Sequence, residues 1–163
     1  PPRQYLSGET HRYLGRQYRL KVAAGETERV ALSRPFIHVM VADPADTARV
    51  RALVEGWYRQ RAGEVFAERL AACYGRVRHL EVPLPTLSVR AMTSRWGSTS
   101  PSGRVTLNLK LVQVPLQLID YVVCHELCHL LEPHHGAAYY RLLGEVLPDW
   151  KERRDRLNAY EFG

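Results

Sequence analysis

The stretch from Pro115 to Pro133, PLQLIDYVVCHELCHLLEP, restricts the fold more than any other part of the chain. Leu116, Ile119, Val123, Leu127 and Leu130 recur at spacings of three and four, which places them on one face of an α-helix. Leu118 and Val122 stand on a second side, so the helix is apolar nearly all round. Such a helix has to be enclosed by other elements. Pro115 opens it and Pro133 must end it, because proline suits a first helical turn and cannot continue a later one. Lys110, Gln113, Asp120 and a His/Glu cluster break the apolar run around it, so it cannot serve as an uncharged membrane span.

Within this helix His125 and His129 are four apart, which sets them about 40° from each other on one face, one turn up. Both rings can reach one ion. Glu126 lies about 100° round from His125, able to approach a ligand on the ion's open side but poorly placed to bind the ion itself. This is the H-E-x-x-H arrangement, with the glutamate as general base. Cys124 and Cys128 lie about 100° round on the other side, so one ion cannot take all four residues without unwinding the helix. Both cysteines read as small buried hydrophobes, and a thiol beside the site would make it sensitive to oxidation.

The third ligand has to come from beyond the helix end, where His134 and His135 follow Pro133. The interval from His129 to His135 matches H-E-x-x-H-x-x-G-x-x-H, but Glu132 replaces the glycine, so a metzincin assignment does not follow. His135 is favoured, with His134 the alternative or a substrate-facing residue and Glu132 a third candidate. Three histidines would leave one position on a single Zn2+, or another divalent ion, for water of pKa about 7, and Glu126 would take its proton. The expectation is a metal-dependent hydrolase. The reading from a different class is a binding module that an ion merely braces, which would want a closed tetrahedron of ligands.

Elsewhere, Thr10 to Met40 alternates as short, hairpin-linked strands, with turns at Gly15 and Gly25. Asp43 and Pro44 read as the start of a helix that runs to about Tyr74 and stops at Gly75. Its apolar stripe is Val50, Leu53, Val54, Trp57, Tyr58, Val65, Phe66 and Leu70, interrupted by Gly56 and Gly63, each costing about 1 kcal/mol of helix propensity. Two strand patterns follow, Leu87 to Met92 and Arg104 to Leu109, joined by a Gly/Ser-rich turn. Two short helices finish the chain, from His135 or Gly136 to Leu147 and from Asp149 to Tyr160, with Asp149 and Glu152 at capping-box spacing.

At 163 residues the chain suits one domain, 1–163. Three cysteines, Cys73, Cys124 and Cys128, form no disulfide framework and point to a reducing, cytoplasmic compartment. The first residues carry no secretory pattern. They do not begin with Met, which leaves room for residues upstream. The net charge of +6 is scattered, so it allows nucleic acid as a partner without requiring it. Oligomeric state is not readable.

RWGSTSPSGRVTLNLKLVQVP followed by IDYVVCHELCHLLEPHHGAAYY resembles the YgjP-like family of metal-dependent hydrolases, relatives of the WLM and SprT-like zinc proteases. The matching positions are Arg95 to Ser98, Gly103, Leu107 with Asn108, Pro115, His125 to His129, His135, and Tyr139 or Tyr140. YLGRQYRLKV and WYRQRA extend the likeness over most of the chain. Thr99 stands where the family usually has Cys, and His134 where Asn is common.

The resemblance implies an α+β, zincin-like (minimal gluzincin-type) domain: a small, twisted, mainly antiparallel sheet, a long backing helix and an H-E-x-x-H active-site helix. It also implies either a peptide substrate, held against an edge strand expected at Arg104 to Leu109, or hydrolysis of a nucleoside triphosphate such as UTP. Arg95 and Ser98 would contact either substrate, with His134 and Tyr139 as further candidates.

Overall fold

The computed structural model describes residues 2–160. Four strands come first: β1 (Thr10–Tyr13), β2 (Arg16–Ala24), β3 (Arg29–Ser33) and β4 (Phe36–Val41). The long helix α1 (Thr47–Tyr74) follows, then β5 (Thr86–Arg90), β6 (Gly97–Thr99) and β7 (Arg104–Asn108). After a 3-10 turn at Leu109–Gln113 the chain enters α2 (Leu116–His129), α3 (Ala137–Val146) and α4 (Trp150–Asn158). The architecture is α+β, as expected.

The expected small sheet is two sheets. The first has the order β1-β2-β4-β3, with β2 and β4 parallel and the outer pairs antiparallel. The second has the order β5-β7-β6, with β5 parallel and β6 antiparallel to β7. Strict alternation along β4, with Ile37, Val39 and Val41 buried, gives the first sheet one apolar face, and α1 lies against β3 and β4. Helix α1 also touches β5 and α2, so one helix backs both sheets.

The turn between β1 and β2 docks the first sheet onto the start of the central helix. Leu14 and Gly15 both have positive φ, 49° and 83°, the conformation of a two-residue hairpin turn that follows the strand twist. Their amides donate to the carbonyls of Val112 and Gln113 at 2.9 and 2.8 Å. A Cβ on Gly15 would stand 2.6 Å from Pro115 Cγ, so only glycine lets the turn seat here.

Helix α2 is enclosed as its sequence required. Leu118, Ile119, Val123, Cys124, Leu127 and Cys128 are fully buried, and α1, β6, β7, α3 and α4 pack around it. Arg69 on α1 forks onto Asp120 of α2 at 2.7 and 2.8 Å, which satisfies the one carboxylate on the back of that helix.

Three local expectations are corrected. Helix α1 is capped by Asp46, whose Oδ1 accepts from the Arg49 amide at 3.1 Å. Asp43 instead closes a turn onto the Ala45 amide. Asp149 makes no capping hydrogen bond and pairs with Arg153 at 3.0 Å, so the capping box of α4 is not formed. The Gly/Ser-rich turn contains a strand, β6, and this makes β7 the central strand of its sheet and not the edge.

Helix α1 passes unbroken through Gly56 and Gly63, where an added Cβ would meet nothing within 4 Å. Gly56→Ala and Gly63→Ala are each expected to raise the unfolding free energy by about 0.5–1 kcal/mol. The measurement is a urea midpoint shift at constant slope; no gain from either would mean that α1 is interrupted in solution.

Candidate metal centre and active site

The last turn of α2 carries His125 and His129 one turn apart, their ring centroids separated by 4.9 Å. The Leu131 and Glu132 amides bond back to the Cys128 carbonyl, and Pro133 then turns the chain. This brings His135 over the helix end just before α3, its ring 4.5 Å from that of His129 and 5.2 Å from that of His125. One ligating atom from each of the three histidines lies within 4.8 Å of the others.

The donor chemistry fits a divalent cation. The Nδ1 of His129 is 3.2 Å from the Glu132 carbonyl, so its N–H donates there and leaves the Nε2 lone pair facing the cluster. That Nε2 is 2.7 Å from the Nε2 of His135, and two imidazole nitrogens this close need a proton or a cation between them. Burial and the two neighbouring imidazoles hold His135 below the ordinary histidine range, which keeps its ring in the neutral, ligating form.

Glu126 is 4% exposed, an unusual burial for a carboxylate. Its Oε2 lies 3.2 Å from His125 Nδ1, and its Oε1 accepts from the Thr99 hydroxyl at 2.8 Å. Thr99 Oγ1 also stands 3.0 Å from the Glu126 carbonyl, so this side chain grips both the backbone and the carboxylate. Two residues earlier, a Cβ on Gly97 would meet Glu126 Cγ and Oε2 at 3.2 Å and Val122 Cγ1 at 3.1 Å. The missing side chain is what lets β6 lie directly on α2.

The segment leading into β6 is fixed by Asn108, which is fully buried at the end of β7. Its Nδ2 donates to the carbonyls of Met92 and Arg95 at 3.0 and 2.8 Å, and its backbone amide donates to the Trp96 carbonyl at 2.9 Å. Its Oδ1 accepts from the Lys110 amide at 3.1 Å. Asn108 thus anchors the backbone of residues 92–96 while Arg95 stays exposed.

These parts enclose a cavity of about 590 Å³ whose walls include Arg95, Ser98 and Thr99 on one side and His125, Glu126 and His135 on the other. Arg95 and Ser98 therefore join the histidines and Glu126. His134 is exposed, outside the histidine cluster, and its carbonyl accepts from Gly136 N at 2.8 Å. Tyr139 is fully buried behind the cluster, stacked on His129 at 4.5 Å, with its hydroxyl donating to the His125 carbonyl at 2.8 Å. It supports the ligands from behind. Tyr140 is half-exposed and stacks on Trp150.

Cys73, Cys124 and Cys128 are free, buried thiols outside the histidine cluster. Burial pushes the Cys128 thiol up to about 12. Thr99, noted in the sequence only as a departure from the family pattern, is the side chain that holds the Glu126 carboxylate. The signal available was its place two residues after the glycine that must face the helix, on the side of the strand where alternation puts it against Glu126.

A family model described as YgjP-like, metallopeptidase domain, matches residues 1–160. Among solved structures, the crystal structure of the metallopeptidase zymogen of Pyrococcus abyssi abylysin is similar with a TM-score of 0.52 and 20% identity, over 58% of this chain and 92% of that one. At that identity the likeness shows the fold. No curated protein matches the chain.

Two outcomes follow from the geometry. His135→Ala should lower bound metal in equilibrium dialysis at least tenfold and His134→Ala should leave it unchanged; the reverse order would move the third ligand to His134. Thr99→Val leaves the buried Glu126 carboxylate short of a donor and should cost about 1–3 kcal/mol of stability, with Thr99→Ser recovering most of it. A Thr99→Val protein as stable as the parent in a denaturant titration would show that the hydrogen bond is absent in solution.

Proposed function

Because the chain belongs to the YgjP-like family of metallopeptidase domains, we propose that it is a zinc-dependent hydrolase of peptide bonds in which Glu126 is the general base. The observation that carries this reading is the buried Glu126 carboxylate in the same cavity wall as three converging histidines. His125, His129 and His135 would hold the zinc, which would supply Lewis-acid activation of the scissile carbonyl and of water.

The protein's own residues do the rest. Thr99 and His125 fix the two oxygens of Glu126, so the carboxylate is oriented before substrate arrives. It accepts a proton from the attacking water and returns it to the leaving amine. Strand β6 offers the place for an extended substrate. The Trp96 carbonyl and the Ser100 amide both bond towards β7, and backbone direction alternates along a strand. The N–H and C=O groups of Gly97 and Thr99 therefore face the open edge, beside the cavity, where a peptide can add as a further strand.

One observation favours a second substrate for the same site. The Arg95 guanidinium borders the cavity with no ion-pair partner among the described residues, so it can fork onto a phosphate of a nucleoside triphosphate such as UTP.

The test is one protein and one blank: zinc-loaded enzyme beside Glu126→Gln, offered a mixed peptide library and, separately, UTP. Glu126→Gln should keep its zinc and lose about 10²–10⁴ in turnover. Cleaved peptides in the wild type alone support the peptidase, and pyrophosphate release from UTP alone supports the second substrate. An inert wild type whose domain unfolds on chelation would instead identify an ion that only braces the fold.

A further inference from the structure

Next to the metal cavity lies a smaller one, of about 340 Å³, on the other side of the Arg95–Gly97 segment. The two share Arg95, Gly97, His125 and Glu126, so the smaller cavity borders the residues of the proposed reaction centre. Its remaining walls include Tyr121 and Val122, one turn before His125 and Glu126 on α2, and Arg154, Leu157 and Asn158 on α4, a helix that the proposed chemistry does not use.

Two cationic side chains stand among the polar groups of this cavity, which also include Ser94, Asn158 and the Glu126 carboxylate. Arg154 and Arg95 bring two guanidiniums to it. Arg95 has no ion-pair partner among the described residues. Among the described residues Arg154 pairs with its chain neighbour Asp155, at 3.1 Å and at an exposed site where such a pair contributes little. The Arg154 guanidinium also lies over the Trp150 ring, 5.2 Å from its centroid, which holds the side chain in place. Tyr121 is buried, its ring 5.9 Å from that of His125, and its hydroxyl makes no hydrogen bond among the described residues. That phenol lines the same cavity as the Arg154 guanidinium and can donate a hydrogen bond there.

The two carboxylates nearby are already held, Glu126 by Thr99 and His125 and Asp155 by Arg154. The donors left unengaged among the described residues are the Arg95 guanidinium and the Tyr121 hydroxyl, beside Arg154 in its weak surface pair. Leu157 and Val122 supply an apolar wall suited to the methylenes of a short side chain.

We propose that this cavity is a substrate subsite for an acidic side chain, an aspartate or glutamate close to the scissile bond, held by Arg154 and Arg95 with Tyr121 as an additional donor. The inference rests on the peptidase reading for its choice of a carboxylate over a phosphate. It assigns Arg154 and the α4 helix to substrate selection, a role for which they carry no sequence motif.

Binding tests it without turnover. The probes are the monohydroxamates of succinic, glutaric and adipic acid, which combine a metal-binding group with a carboxylate at three reaches, each beside the neutral alkyl hydroxamate of equal length. They are titrated calorimetrically into protein of verified zinc content. At least one carboxylate compound should bind about tenfold or more tightly than its neutral counterpart. Arg154→Gln should remove that advantage while leaving the neutral compound's affinity unchanged, and Arg154→Lys should restore part of it.

Equal affinities for charged and neutral compounds at all three lengths would overturn the subsite. So would an advantage indifferent to both Arg154→Gln and Arg95→Gln. Inorganic pyrophosphate binding more tightly than any of the carboxylates, with the same dependence on Arg154, would overturn the acidic side chain in favour of a nucleotide. Peptide hydrolysis is scored separately with Glu126→Gln, so an inactive protein that keeps the carboxylate preference counts against the peptidase and not against the subsite.

Discussion

A helix that is apolar on nearly every side must be covered on nearly every side, and the arrangement of this protein follows from enclosing α2. Helix α1 covers one flank and fixes Asp120 through Arg69, while α3 and α4 close two more, and the second sheet lies along another. The uncovered ground is the last turn around His125 and His129, where the walls draw apart into the two cavities. A polar cluster placed there is held by packing from behind, through Tyr139 against His129 and the backbone of His125, and stays open in front. This combination of rigid backing and an accessible face is what a catalytic metal requires of a protein.

The second constraint is a buried charge. A carboxylate as enclosed as Glu126 is costly unless its oxygens are matched by donors. The match comes from a strand three residues long, which has no apolar alternation to hold it in place. What holds it is a set of specific contacts: Asn108 fixes the approach, pairing with β7 fixes the register, and Gly97 removes the side chain that would keep strand and helix apart. Thr99 then arrives at Glu126 as a consequence of that register, since a slip by one residue would turn it to the opposite face.

Sequence pattern made the helices legible because their periodicity is long. The stripe on α1 reads Val50 to Leu70 and is buried where the spacing put it, and α2 declares itself by being apolar without a polar face. The pairing of His125 with His129 needed only helix geometry. What pattern could not carry was anything decided by contact between distant segments. The division into two sheets depends on which strands pair, and β6 is a strand only because β7 and Asn108 make it one. The helix start at Asp46 in place of Asp43 is a contest between two equally suitable caps three residues apart, settled by a turn at Ala45.

The same distinction separates the two halves of the site. His125, Glu126 and His129 sit within five residues of one helix, so their relative positions are set by backbone geometry, while His135 is brought to them by the turn after Pro133. The opposite wall, Arg95 to Thr99, and the α4 wall with Arg154 depend on tertiary contacts and are joined to the reaction centre only through the cavities. A site divided in this way can change its loop and terminal-helix walls without disturbing the geometry of the helix that carries His125, Glu126 and His129. The departure at Thr99 illustrates the limit of that freedom. This position belongs to the opposite wall by chain location, yet its hydroxyl reaches the Glu126 carboxylate on the helix, so a change there acts on the orientation of that carboxylate as well as on the wall.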